Sequence, residues 1–183
     1  VAHIDNIIDK TKQTIEEYKK YKQSLITEAV TKGLNPDVKM KDSGVEWIGQ
    51  IPEHWRKYKL KHILQSQLKY GANESGVAFN SNLPRYIRIT DININNNSLK
   101  NDGLLSLTEE QSQKYILKNN DILFARSGAT VGKTFIYREK YGRSAFAGYL
   151  IKAEIKKSFN PNFVYYFTLS SVYEEWKNQI FIQ

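Results

Sequence analysis

The octapeptide Ser127-Gly128-Ala129-Thr130-Val131-Gly132-Lys133-Thr134 is the densest set of groups in this chain that could hold a phosphate. Nucleotide-hydrolysing loops need glycine, four residues, then Gly-Lys-Ser/Thr, because their backbone amides must wrap the phosphate. Here Ser127 occupies the first glycine position. The residues that follow, Phe135 to Tyr141, read as strand and turn where that chemistry requires a helix. No later apolar strand ends in an aspartate placed to hold magnesium. A nucleotide-binding enzyme using Gly128 to Thr134 is therefore the alternative reading, and nucleotide affinity would discriminate it.

Other candidate chemistry is thin. Asn160-Pro161-Asn162-Phe163 is similar to the Asn-Pro-Pro-Phe/Tyr loop that grips a flipped base in amino-methyltransferases. The second proline is missing, however, and a helix cap accounts for the asparagine and the proline. His3, His54 and His62 have no ligand spacing, and the chain has no cysteine, so no metal site or disulfide framework is expected. Glu16-Glu17, Glu109-Glu110 and Glu174-Glu175 sit at adjacent helical positions, which point apart and do not make an acid–base pair. No catalytic residue and no cofactor are expected.

The 183 residues carry a net charge of +8, unevenly placed. Residues 1–35 hold six basic and five acidic side chains. Between Arg126 and Lys157 eight basic residues meet only Glu139 and Glu154, a surplus of six. Such a surplus suits a polyanion, since phosphate neutralisation dominates sequence-independent nucleic-acid affinity; a solvated basic face is the competing explanation. Hydrophobic residues at 40% can fill a core. No signal peptide and no apolar run of membrane length is visible, so a soluble, cytoplasmic protein is expected.

The elements that must position these groups begin with a helix. Ile4, Ile8, Thr11, Ile15, Tyr18, Lys22, Leu25 and Ala29 recur at 4-3-4-3 spacing, the seam of a coiled-coil-type helix. Gly33 suits its C-cap and Pro36 stops it. Residues 35–56 read as a linker, with a turn at Asp42-Ser43-Gly44 and with Trp47 and Trp55 placed to pin a loop on a core. Tyr86 to Thr90 alternates as a strand, and the asparagine-rich run from Asn93 to Asn101 reads as a loop. Thr108 with Gln111 starts a short helix, Asp121 to Ala125 is a buried strand, Thr134 to Arg138 another, and Asn160-Pro161 opens a last helix. The fold class is α+β: a long N-terminal helix, residues 1–35, then a mixed α/β domain, residues 36–183. The abrupt start at Val1 and the unpunctuated Phe181-Ile182-Gln183 suggest a fragment.

Three segments carry a family likeness. Ser24-Leu-Ile-Thr-Glu-Ala-Val-Thr-Lys-Gly-Leu34 ends the helix, and Gly44-Val-Glu-Trp-Ile-Gly-Gln-Ile-Pro-Glu-His-Trp-Arg-Lys-Tyr-Lys-Leu60 follows it. Together they resemble the spacer helix and adjoining domain start of a specificity subunit from a type I restriction–modification system. Asn120-Asp-Ile-Leu123 leading into Arg126-Ser-Gly-Ala-Thr-Val-Gly-Lys133 resembles that family's Asp-Ile-Leu, Arg-x-Gly-x-x-Gly-Lys pattern, one residue longer between the glycines. Tyr86-Ile-Arg-Ile-Thr-Asp-Ile92 resembles its Tyr-Ile-Arg-Ile-x-Asp-Ile strand.

The resemblance implies sequence-specific recognition of a split target in double-stranded DNA, directing methyltransferase and restriction subunits, by a chain that is itself not an enzyme. In that family two recognition domains are held apart by two antiparallel helices. Helix-then-domain order implies the second half of such a subunit, and the family's further helix-bearing region after the domain lies outside this sequence. The implied DNA-binding residues are Arg88 and Arg126 at base edges, Lys133 and Lys140 at phosphates, with Ser127, Gly128, Thr130 and Arg143 beside them. For the loop itself, a plain hairpin stays open as the alternative, as does a strand-end charge for Arg88. The helix, lacking a partner within the chain, is expected to self-associate through Ile4, Ile8, Ile15, Tyr18 and Leu25. A bare dimerisation module is the third reading, recognisable by self-association without DNA binding.

Overall fold

The computed structural model describes residues 2–93, 96 and 98–181. In chain order its elements are α1 (Ala2–Thr31), β1 (Met40–Asp42), β2 (Gln50–Pro52), α2 (Leu60–Ile63), β3 (Lys69–Tyr70), β4 (Val77–Ala78) and β5 (Arg85–Ile87). They continue with β6 (Ile92–Asn93), β7 (Ser98–Leu99), β8 (Leu105–Ser106), α3 (Glu109–Ser112), β9 (Ile122–Ala125) and β10 (Thr134–Ile136). The last are β11 (Ser144–Phe146), β12 (Leu150–Ala153), α4 (Pro161–Phe167) and α5 (Ser171–Phe181). A long helix ahead of mixed sheets is the α+β arrangement expected. The chain forms two compact units, one from the residues up to 57 with those from 166 onward, the other from residues 58–165.

In the first unit, α1 spans 30 residues, about 45 Å at 1.5 Å per residue. It ends where Gly33, at φ 83°, donates its N–H to Glu28 O at 3.2 Å. That left-handed conformation satisfies a terminal carbonyl without a side-chain penalty. Only Val30 and Thr31 of α1 are buried; Ile4, Ile8, Ile15, Tyr18 and Leu25 stand exposed. The segment expected as a linker holds a hairpin, β1 against β2, with Met40 opposite Pro52 and Asp42 opposite Gln50. Asp42 Oδ1 accepts the Gly44 N–H at 2.8 Å, which makes the expected turn. The ring of Trp47 lies 6.2 Å from Phe167 and 6.0 Å from Trp176. Gln23 and Thr27 of α1 reach across to Leu169 O and the Ser171 amide, at 2.5 and 2.9 Å.

The single last helix read from the sequence is two, α4 and α5. Leu169 and Ser170 donate their amides to Tyr166 O and Phe167 O, tightening the chain into a turn. The Ser170 hydroxyl then accepts the Tyr173 N–H at 3.3 Å and starts α5 afresh. Asn160 Oδ1 caps α4 as expected, accepting Asn162 N at 2.9 Å.

Among the described residues, the second unit holds two four-stranded sheets and one hairpin. One sheet runs β10-β9-β12-β3 and is antiparallel throughout. The other runs β11-β5-β8-β4, with β5 and β11 parallel. Ile87, Leu123, Phe135, Phe146 and Leu150, all wholly buried, fill the core. At the edges of the asparagine-rich segment read as a loop, Ile92–Asn93 and Ser98–Leu99 pair as β6 against β7, with Ile92 and Leu99 buried. Ile94, Asn95 and Asn97 of that segment, and Val1, Ile182 and Gln183 at the ends, lie outside the described residues. The strand expected over Tyr86 to Thr90 stops at Ile87. Asp91 Oδ2 accepts the Arg88 backbone N–H at 2.8 Å and bends the chain into a tight turn. Thr108 and Gln111 form the expected capping box at α3.

One close approach joins the sheets. A Cβ on Gly71 would sit 2.3 Å from Ala147 O, and one on Gly148 would sit 2.6 Å from Asn73 Oδ1. Only glycine lets these two segments pass so near each other.

Candidate nucleic-acid interface

The antiparallel sheet brings three segments of the second unit to one end. Leu150 pairs with Ala125, and Ile151 with Tyr70. Arg126 just past β9, Tyr149 just before β12 and Tyr70 at the end of β3 therefore emerge together. Thr134 pairs with Phe124, which puts Lys133 at the same end. The Arg126 amide donates to Tyr149 O at 2.9 Å, fixing the backbone there.

The Arg126 side chain is exposed, and its guanidinium carbon lies 5.0 Å from the centroid of the Tyr70 ring. That distance is within cation–π range, and Nη1 also makes a long 3.5 Å contact with Gly148 O. Tyr70 and Tyr149 keep 61% and 64% of their surface open. Neither was singled out by the sequence reading. The available signal was a tyrosine beside a glycine in each case, Tyr70-Gly71 and Gly148-Tyr149, but no sequence spacing links position 70 to position 126.

Residues 126–132 form the hairpin turn between β9 and β10. Ala125 N donates to Lys133 O at 2.8 Å and Gly132 N to Ala125 O at 2.9 Å. Gly128 and Gly132 both take φ 74°, and nothing stands within 4 Å of a Cβ built on Gly128. The turn runs into a strand, as the sequence reading had it, without the helix that a nucleotide-phosphate loop uses. Ser127, Gly128 and Lys133 are exposed and Thr130 half-buried, so five of the sequence-predicted residues, Arg126, Ser127, Gly128, Thr130 and Lys133, share one exposed turn.

The other three lie elsewhere. The chain leaves β10 at the opposite end, where Asn120 N meets Tyr137 O at 2.9 Å, before reaching Lys140 and Arg143. Lys140 Nζ stands 5.3 Å from the Tyr141 ring centroid. Arg143 makes two contacts of 2.6 Å with the Glu109 carboxylate. That hydrogen-bonded pairing raises the Arg143 pKa and lowers that of Glu109. Arg88 forks onto Asp91, with contacts at 2.7 and 3.1 Å, and donates to Gly103 O at 2.7 Å. Hydrogen bonding to Asp91 holds the guanidinium above its ordinary pKa.

The basic surplus between Arg126 and Lys157 is likewise not one free face. Lys152 is buried, 3.2 Å from Asp121 Oδ2. Arg138 donates to the side chains of Asn120 and Asn162, and Lys156 donates to His62 O at 2.8 Å. Among the described residues no cluster of His, Asp and Glu could hold a metal ion, and no helix is long and apolar enough to cross a membrane.

Residues 52–181 match the family model described as the type I restriction modification DNA specificity domain. The crystal structure of the HsdS subunit from Thermoanaerobacter tengcongensis superposes with a TM-score of 0.54 at 14% identity, over 91% of this chain and 38% of that one. A chain from a study of complex assembly and conformational transition of the type I R-M system matches at TM-score 0.48 and 14% identity, over 92% of this chain and 39% of its own. This chain thus spans about two fifths of the solved chains it matches. The HsdS likeness, at that identity, is one of fold. With the family model covering well over half of its residues, the chain belongs to the type I restriction modification DNA specificity domain family.

Proposed function

We propose that this chain recognises a DNA sequence through the Arg126–Lys133 turn, as the targeting component of a type I restriction–modification assembly. What carries the reading is an exposed arginine, set over the Tyr70 ring and making a long 3.5 Å contact from Nη1 to Gly148 O, on a glycine-bearing turn inside a DNA specificity domain. Arginine forks onto O6 and N7 of guanine in the major groove, while lysine meets phosphate as a point charge. Arg126 accordingly takes the base edge and Lys133 the backbone, with Ser127, Gly128 and Thr130 shaping the approach. Arg88, Lys140 and Arg143 stand outside this turn and act as secondary contacts.

Residues 1–35 serve as spacer and dimerisation helix, and residues 36–183 carry target recognition. Methyltransferase and restriction subunits are the protein partners, recruited to the DNA that the turn selects. The exposed apolar seam of α1 supports self-association, since a stripe from Ile4 to Leu25 is left uncovered.

Titration against duplex DNA over a range of salt concentrations tests the reading. Log affinity is expected to fall with log salt at a slope of about −0.9 for each phosphate engaged. Arg126→Ala is expected to cost about 1–3 kcal/mol and relax preference at one base pair. A flat salt response, or an Arg126→Ala protein with unchanged affinity and preference, would return the turn to a plain hairpin.

A further inference from the structure

We propose that Tyr70 decides the base preference of Arg126, as a positioning residue that holds the guanidinium in one orientation. The inference rests on the recognition reading just given and assigns a role to a residue that reading does not use. A free arginine side chain samples many rotamers, and a fork that must meet two acceptors on one base edge works only when those rotamers are restricted. Arg126 has two restraints. Its amide is tied to Tyr149 O at 2.9 Å, and its guanidinium lies over the Tyr70 ring at 5.0 Å. Its other contact is a long one, Nη1 to Gly148 O at 3.5 Å, too weak to set the fork alone. Among the described contacts, the ring is therefore the element that orients the fork.

Tyr70 is itself placed by strict geometry. It pairs with Ile151 at the end of β3, and the Gly71 amide donates to Leu150 O at 3.3 Å. Gly71 then passes against the Ala147 carbonyl where no side chain fits. The ring cannot drift along the sheet without breaking that passage. Stacking uses the ring face alone, so phenylalanine can replace tyrosine, whereas leucine fills the space without the π cloud.

The test uses the full chain, wild type and with Tyr70→Phe, Tyr70→Leu and Arg126→Ala, and a pool of randomised duplexes as probe. Wild type and Tyr70→Phe are expected to enrich guanine at one position, a preference that Arg126→Ala abolishes. Tyr70→Leu is expected to weaken that single preference about two- to fivefold, matching an exposed cation–π contact, with the salt slope and the other positions unchanged. In parallel, the Arg126 Nε–H proton resonance, shielded by the ring below it, is expected to move downfield in Tyr70→Leu and to stay in Tyr70→Phe. A Tyr70→Leu protein that keeps full guanine preference overturns the inference alone. So does one in which every position weakens alike, since that marks a merely structural role. A wild-type pool with no enriched position overturns the recognition reading and this inference with it.

Discussion

Lys152 and Asp121 face each other inside the second unit, Nζ to Oδ2 at 3.2 Å, with side chains only 6% and 2% exposed. Asp121 Oδ2 also accepts the Lys118 N–H at 2.9 Å. Burial pushes the carboxyl pKa up, while the Lys118 amide and the Lys152 ammonium draw it back. Removing one member of a buried pair leaves an uncompensated charge. Lys152→Ala is expected to lower the unfolding free energy by about 3 to 5 kcal/mol in denaturant titrations. Lys152→Met with Asp121→Asn should recover most of that loss, because the amide still accepts from Lys118. A Lys152→Ala protein within about 1 kcal/mol of wild type would contradict this account.

The salt dependence of DNA binding should separate two cations that composition counts alike. Lys133 stands on the Arg126 turn, and Lys133→Gln is expected to make the log–log slope shallower by about 0.9. Arg143, just before β11 of the other sheet, is paired with Glu109 on α3, so Arg143→Gln should change the slope much less. Equal slope changes in the two variants would show that the turn has no privileged contact with phosphate.

Self-association is expected at micromolar concentration, carried by the α1 seam. Burying an isoleucine stabilises by up to about 3 kcal/mol, and an aspartate in its place adds an unpaired charge. Ile15→Asp should therefore shift sedimentation from dimer to monomer, with the second unit still folded. A wild-type chain that sediments as a monomer at that concentration leaves the seam without this role.

Tyr173 gives an alkaline signature. Burial, with the neighbouring Glu174 charge adding to it, pushes its phenol pKa from 10.0 to about 12. A folded-state pKa above the unfolded one means the folded chain holds its proton longer. Stability from this group is thus full below pH 10 and falls as pH climbs toward 12. The whole loss is about 2 to 3 kcal/mol. Tyr173→Phe should show a flatter decline over that interval than wild type; parallel declines would assign the alkaline loss to other groups.

How far these features were legible depends on the range of the physics behind them. The α1 seam, the Gly33 cap, the Thr108–Gln111 box and the β9–turn–β10 hairpin follow from residues within a few positions of one another. The break between α4 and α5 escaped notice because the Ser170 hydroxyl restarts a helix inside an apolar pattern that continues through it. Strand β5 proved short because Asp91 captures the Arg88 amide, a competition invisible in alternation alone. Within the candidate site, Arg126 and Lys133 came from a local motif. Tyr70 could not, since its neighbourhood exists only after β3 docks on β12. Arg88, Arg138 and Lys152 looked like free charge for the same reason: Gly103, Asn162 and Asp121 are partners that folding supplies.

The glycine passage at Gly71 and Gly148 has a consequence in time. The Arg126 turn closes between adjacent strands, a loop short enough to form early. Strand β3 can join that sheet only through β12, near the other end of the unit's sequence. Contacts across such a separation close late, because the loop entropy must be overcome before any pairing rewards it. A growing chain therefore displays its cationic turn well before Tyr70 arrives beneath Arg126. On the reading proposed above, the charge of the turn is in place before the ring that would orient Arg126.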